Sequence, residues 1–443
     1  MVDSIEQMGG GIDKYLRQYQ ELASNLPAAG IPWVDAHREA ASKRFAKLGF
    51  PTIRDEQWKY TNVRSITRQV FSLPLHSTGV SQALINKSTI PNLDAYRLVF
   101  TDGIFAPSLS QISDLPEGVT IMSLAALLRS DPSRLEGIFG EMLGEPIHGF
   151  NAMNSAFVSD GAFIELEPGV KLDKPIELLY VSACTGEPTL SLPRNLVVLR
   201  KQSSATLCER YISAAQSQSL TSGVSEVYVE DDGILHIDRL NEENDKSFNI
   251  GGLFAKVGRN ARLKSSSITL GGRLVRNDIV VRLSEDSAEA QLDGLYMVNG
   301  SQHVDNNTQV LHDQPRTISR EHYKGILSGK ARAVFRGHIQ VKPEAQGTDA
   351  VQKNNNLLLS TESEVDTMPQ LEIYADDVKC AHGATVGQLE EDAIFYLRSR
   401  GIGLVEARQL LTRAFAAEIV ETLGQGAIKD YIESRIDHVM GSS

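Results

Sequence analysis

Ile279-Val280-Val281-Arg282-Leu283-Ser284-Glu285-Asp286-Ser287-Ala288-Glu289-Ala290-Gln291-Leu292 contains, in order, an apolar run, a polar turn, a small residue and an alternating strand. Gly258-Arg259-Asn260-Ala261-Arg262-Leu263 and Ser328-Gly329-Lys330-Ala331-Arg332-Ala333-Val334 follow the same grammar of turn, small residue and alternating strand. Other short runs flank them: Ile176-Glu177-Leu178-Leu179-Tyr180-Val181, Leu196-Val197-Val198-Leu199, Ala333-Val334-Phe335-Arg336-Gly337-His338-Ile339 and Leu371-Glu372-Ile373-Tyr374. Gly271-Gly272, Asn299-Gly300, Asn306-Asn307 and Asn354-Asn355-Asn356 punctuate them. Strands of this length at this spacing predict an all-β sandwich, barrel or solenoid. The self-similarity, though irregular in period, favours a solenoid whose turns each bury the face the next one exposes. A two-sheet sandwich is the structural alternative.

This texture runs from 147 to 388 and defines a β core. Residues 1–146 read as a helix-rich domain. Helical spacing covers 12–26 and 32–48, with Trp33, Ala36, Ala40 and Phe45 recurring, and Gly49-Phe50-Pro51 ends the second helix. Residues 93–100 predict a strand and 122–128 a short helix. Beyond 388, residues 389–443 predict a helical domain. Leu389, Ala393 and Leu397 lead to Gly401; Ala407, Leu411, Phe415, Ile419 and Leu423 recur every fourth residue; Ile428, Ile432 and Ile436 form a third stripe. Leu410, Ala414 and Ala417 add a second apolar face to the middle helix, more than one neighbour needs. The segment 404–423 is therefore expected to dock a partner, with Phe415 as its anchor.

At 443 residues the chain exceeds what one compact core holds. Hydrophobic content of 41% with 23% charged residues excludes a largely disordered protein. The net charge of −12 argues against nucleic acid or an anionic membrane as partner. No apolar run reaches the roughly 18 residues of a membrane span. Met1-Val2-Asp3-Ser4-Ile5-Glu6 lacks the features of a secretion signal, and three cysteines are too few for a disulfide scaffold, so a cytoplasmic location is expected.

Phosphate-loop chemistry is missing: Gly325 to Ala331 has the wrong spacing and no hydroxyl at its end, so no ATP hydrolysis by this chain is expected. No dinucleotide fingerprint, Cys-x-x-Cys or His-x-x-x-His occurs. The compact set of soft ligands is Cys380-Ala381-His382, two residues apart on a strand and thus on one face. A thiolate beside an imidazole suits iron, zinc or an iron–sulfur unit, but two ligands are half a site. A half-buried Cys with a hydrogen-bonded His is the alternative. Asp376-Asp377 could suggest a glycosidase pair, yet neighbouring strand residues face opposite ways, and a solvated turn fits them better. His303, His312, His322 and His338 lack ligand spacing.

The run Pro369-Gln370-Leu371-Glu372-Ile373-Tyr374-Ala375-Asp376-Asp377-Val378-Lys379-Cys380-Ala381-His382-Gly383-Ala384-Thr385-Val386-Gly387 resembles the signature of the SufD family. Phe395-Tyr396-Leu397-Arg398-Ser399-Arg400-Gly401-Ile402, Arg54-Asp55-Glu56-Gln57-Trp58-Lys59-Tyr60-Thr61 and Asn356-Leu357-Leu358-Leu359-Ser360 resemble it too. The resemblance implies a right-handed parallel β-helix between an N-terminal helix-rich and a C-terminal helical domain. It implies a non-catalytic scaffold subunit of the SufBCD complex for iron–sulfur cluster assembly. Such a subunit pairs with SufB through the β-helix and with the SufC ATPase, which binds the ATP, through the C-terminal helices. Here the latter surface would fall on Arg398, Gly401, Leu404, Ala407, Leu411, Phe415 and Ile419. Cys380 and His382 would be transient cluster ligands at the SufB interface, with no cofactor held in isolation and a homodimer open to the isolated chain. Ala381 departs from the Ser that members often carry, and the cysteine-rich features of the SufB paralogue are not seen. A β-helix carbohydrate-active enzyme and a purely structural adaptor are the competing readings.

Overall fold

A computed structural model describes residues 3–143, 148–183, 186–214, 216–424 and 426–441. From Arg194 to Gly387 the chain winds about seven turns of a parallel β-helix, each turn giving one strand to each of two facing sheets. One sheet stacks Arg194–Leu199, Val224–Val229, Phe248–Val257, Leu274–Leu283, His303–His312, Arg332–Val341 and Glu364–Ile373. The other stacks Ser204–Ser213, Ile234–Glu242, Arg262–Thr269, Glu289–Val298, Ile318–Leu327, Thr348–Leu358 and Val378–Gly387. In-register parallel stacking puts like residues above like. Val197, Val227, Ala255, Val281, Val310, Ile339 and Leu371 form one inward row of the first sheet. Such rows of small aliphatic side chains are the core, and their removal from water is the main stabilising term.

The repeat is faint in the sequence because its length drifts. Phe248 lies opposite Leu274 and Arg332 opposite Glu364, rungs of 26 and 32 residues. What recurs is a corner: Gln202, Asp232, Asn260, Ser287, Arg316 and Gly347 all take left-handed backbone, with φ from 52° to 74°. Ala261 and Ala288, just after it, are fully buried where only a small side chain fits. That is the physical content of the turn-plus-small-residue grammar.

The two ends differ. At the N-terminal end, Tyr96–Thr101 extends one sheet and pairs antiparallel with Ile104–Phe105. Val119–Ser123 closes the other sheet antiparallel to Ala162–Leu166. Strands from before residue 147 thus belong to both sheets; the boundary read at 146/147 itself lies outside the described residues. Where one helix was expected from 122, a strand runs to Ser123 and the helix Leu124–Ser130 follows, capped by the Ser123 hydroxyl accepting from Ala126 N at 3.2 Å. The helices Asp3–Leu22, Pro32–Leu48 and Gly149–Ala156 share an aromatic cluster of Tyr15, Phe45, Phe50 and Phe150.

The stretch containing Trp58 is clamped to the β-helix by Arg276. Its fully buried guanidinium stacks 3.9 Å from the Trp58 ring, donates to Gln57 O at 2.9 Å, and pairs with Asp278 at 2.8 Å and with Asp305. Thr61 donates to Asp305 at 2.5 Å, and His148 lies 3.0 Å from Asp278.

At the other end, Glu364–Ile373 and Val378–Gly387 pair inward only; among the described residues no strand covers their outer edges. The helices Glu391–Ser399, Leu404–Val420 and Ala427–Gly441 fold back along the outer face of the second sheet. There Ile419, Val420, Ile432 and Ile436 pack on Leu240, Ile268, Leu295, Met297 and Ile326. Glu242 fixes the last helix, accepting from Tyr431 Oη at 2.9 Å and Arg435 Nε at 2.6 Å. No helix among the described residues is long and apolar enough to cross a membrane.

Candidate ligand pair at the open end

Val378–Gly387 is the last strand of its sheet, and its register sets Cys380 beside Ala350 and His382 beside Gln352. Val378 and Cys380 pack against the interior core, so Cys380 faces in, and His382, two residues on, projects from the same face. With no strand paired to its outer edge among the described residues, Cys380 is half-buried and His382 exposed. Burial pushes the Cys380 thiol above its ordinary pKa, and the Asp349 carboxylate adds to this, against a backbone hydrogen bond at Ala350. The thiol is therefore protonated at neutral pH and becomes a ligand only when a metal or a base displaces its proton.

The structure brings Cys380 and His382 together but supplies no third donor. Among the described residues no three His, Cys, Asp or Glu side chains form a group able to hold a metal. Cys208 is fully buried, its thiol pushed well up by burial and the Glu177 and Asp238 carboxylates. Cys184 lies outside the described residues. Asp376 and Asp377 sit exposed in the bend between the last two strands. His312 is a satisfied interior residue, bonded to Thr317 at 2.7 Å and Ser319 at 2.9 Å; burial lowers its pKa to about 4. His303 contacts Thr61, His322 contacts Asn355, and His338 contacts Gln309.

Behind His382 the inward row turns polar. It runs Leu207, Ile237, Ser265, Leu292, then Glu321, Gln352 and His382. Glu321 and Gln352 are fully enclosed, and Gln352 Nε2 donates to Glu321 Oε2 at 2.7 Å. Burial raises the Glu321 carboxyl to about 7, with the Thr308 and Gln352 hydrogen bonds acting the other way. Gly337 on the facing sheet makes room: a Cβ there would stand 2.1 Å from Gln352 Nε2. Sequence reading missed Glu321 and Gln352, because 31 and 30 residues separate successive members of the row and only the register aligns them.

The expected partner surface on the C-terminal helices does not form one face. Ala407 and Ile419 are fully buried, Ile419 against the sheet. Phe415 is half-buried beneath Lys324, whose ammonium lies 4.4 Å from its ring, donates to its carbonyl at 3.0 Å and pairs with Glu418. Leu411 is half-buried, while Arg398, Gly401 and Leu404 are exposed. Phe415 thus packs, partly buried, against the cluster between helix and sheet, because the four-residue stripe is what the helix uses to pack on the sheet. The apolar groups left in water are instead Phe395 (74% exposed), Val405 (71%), Tyr396, Leu404 and Leu410.

With this geometry, similarity to known proteins is informative. The family described as "SUF system FeS cluster assembly, SufBD core domain" matches residues 181–415, and "SufBD protein N-terminal region" matches 11–178. The chain is 32% identical over 424 residues to the iron–sulfur cluster assembly protein SufD of Escherichia coli, covering 95% of this chain and 96% of that one. It is 31% identical over 438 residues to an iron–sulfur cluster assembly SufBD family protein of Synechocystis, covering 96% of each. A chloroplastic protein of Arabidopsis thaliana, ABCI7, is 27% identical, over 94% of this chain and 88% of that one.

Proposed function

Since this chain belongs to the SufBD family of iron–sulfur cluster assembly proteins, we propose that it is the SufD-type scaffold, completing a transient cluster site with a SufB-type partner at its open end. The observation that carries this is the edge strand Val378–Gly387, which no other strand covers among the described residues and which bears Cys380 and His382, two donors where a cluster needs more. A partner strand laid on that edge would satisfy the free backbone groups and bring its own ligands to the same spot. His382 is the readier ligand, since a neutral imidazole needs no deprotonation at its free nitrogen; the Cys380 thiol must first lose a proton that burial holds. The exposed Phe395, Val405 and Leu410 on the C-terminal helices fit docking of a SufC-type ATPase, the chain itself having no phosphate loop. We place this scaffold in the reducing cytoplasm, where Cys380 stays a thiol.

Co-expression with both partner subunits and iron–sulfide assay of the purified complex tests the reading. His382→Ala leaves assembly and melting temperature unchanged and cuts cluster yield several-fold. Cys380→Ala has the milder effect. A normal cluster yield on a complex containing His382→Ala would refute the ligand role.

The docking face has its own test. Val405→Glu, alone or with Phe395→Ser, should reduce recovery of the ATPase subunit at least tenfold without changing the chain's melting temperature, since it desolvates a charge in the interface. Phe415→Ala should do the opposite, costing about 2–3 kcal/mol of stability through lost packing under Lys324. Loss of the ATPase in a fully stable Phe415→Ala chain would restore Phe415 as the anchor.

A further inference from the structure

The amide of Gln352 has two ends, and the buried environment has fixed one of them. Its Nε2 donates to Glu321 Oε2 at 2.7 Å, so its carbonyl oxygen must point elsewhere, and Oε1 is buried with no hydrogen-bond partner among the described residues. A buried acceptor left unpaired is costly enough that native structures rarely keep one without a use. The neighbour along the row, one strand out, is His382, on the same inward face and in register with Gln352. Parallel strands stand about 4.8 Å apart, so a turn about the His382 side-chain bonds brings a ring N–H within reach of that oxygen. Gly337 permits this arrangement, because any side chain there would displace the Gln352 amide.

We propose that Gln352, pinned by Glu321, is the positioning residue of His382: its carbonyl oxygen accepts one imidazole N–H and so leaves the other ring nitrogen unprotonated and aimed out of the open end. A ligating histidine generally has its second nitrogen held in this way, which fixes both tautomer and ring orientation. Once ionised, as at the pH of the test below, Glu321 enforces the direction of the amide, since its carboxylate accepts from the NH2 group and repels the carbonyl. For its functional arm the proposal rests on the reading of His382 as a cluster ligand.

The full chain, labelled with 15N at histidine, gives the test at pH 8, with the His382 resonances identified by their loss in His382→Asn. Ring-nitrogen shifts of the wild type should show one tautomer of His382 in several-fold excess. Gln352→Met, similar in length but without a carbonyl, should return the ratio to that of an exposed histidine; Gln352→Glu, which restores an acceptor, should keep the wild-type ratio. If the methionine variant does not fold, Gln352→Asn, whose carbonyl falls one methylene short, takes its place. A ratio in the wild type like that of an exposed histidine, or one unmoved by losing the carbonyl, overturns the proposal. Cluster yield on the assembled complex should fall several-fold with Gln352→Met and recover with Gln352→Glu. If the tautomer responds as expected while cluster yield does not, the positioning stands and the ligand role of His382 falls.

Discussion

Arg276→Met should cost the chain about 3–5 kcal/mol, the usual penalty for stranding a buried charge by removing its partner. Arg276 and its two carboxylates are enclosed, with Arg276 at 0%, Asp278 at 5% and Asp305 at 1% exposure. Burial alone would raise the Asp278 carboxyl, but Arg276 and His148 hold it well below the ordinary range. Methionine keeps much of the side-chain volume and none of the five donors, so both carboxylates lose their counter-charge. The clamp on Gln57 and Trp58 goes with it. Urea unfolding should show the loss, and limited proteolysis should cut earlier around residues 54–61. A penalty below about 1 kcal/mol would mean that the network is more hydrated than its burial implies.

The second large effect is a dependence on pH. Glu321 titrates at about 7 in the folded chain, against the usual carboxylate value near 4.5 when unfolded. Folding therefore favours the protonated form. The contribution of Glu321 is fully present below about pH 4.5 and is lost as pH rises through 7. Between pH 5 and 8.5 the wild type should lose roughly 2–3 kcal/mol through this one group. Glu321→Gln keeps an acceptor for Gln352 and cannot ionise, so its stability curve should lack that fall, and the variant should exceed the wild type at pH 8.5. Thr308, Gln352 and Tyr323 face this carboxyl, and none carries a compensating positive charge. The comparison also removes His312, whose lowered pKa acts in the opposite direction in both proteins. Parallel curves for the two chains would show that Glu321 is ionised, or hydrated, throughout.

How much of this was legible beforehand follows from which interactions are local. The apolar runs, the polar corners and the small residues after them are set by near neighbours, so the stretch from Ile279 to Leu292 already indicated a stacked β architecture. The helix Pro32–Leu48 was legible for the same reason, with Pro at its start and Gly49 beyond its end. The pairing of Cys380 with His382 needed only the two-residue period of a strand. Less local facts were out of reach. The last two residues of the strand Val119–Ser123 read as the start of a helix because its alternation is brief and runs directly into Leu124–Ser130. The stripe through Phe415 states that the helix has an apolar side and is silent on what covers it; Lys324, 91 residues away, supplies the answer. Glu321, Gln352 and His382 become one row only once three rungs of unequal length are laid in register.

The asymmetry of the two ends sets how far association can run. A stack of strands receptive at both ends would add copies indefinitely and grow as a filament. Here the N-terminal side ends in the antiparallel strands Ile104–Phe105 and Val119–Ser123 and the C-terminal side in two parallel strands, so the two ends do not match and neither simply continues the other. Two copies related by a twofold axis would meet edge to edge with their last strands antiparallel, in contrast to every pairing inside the β-helix. That contact uses up the receptive end of both molecules at once, and chain growth stops at two.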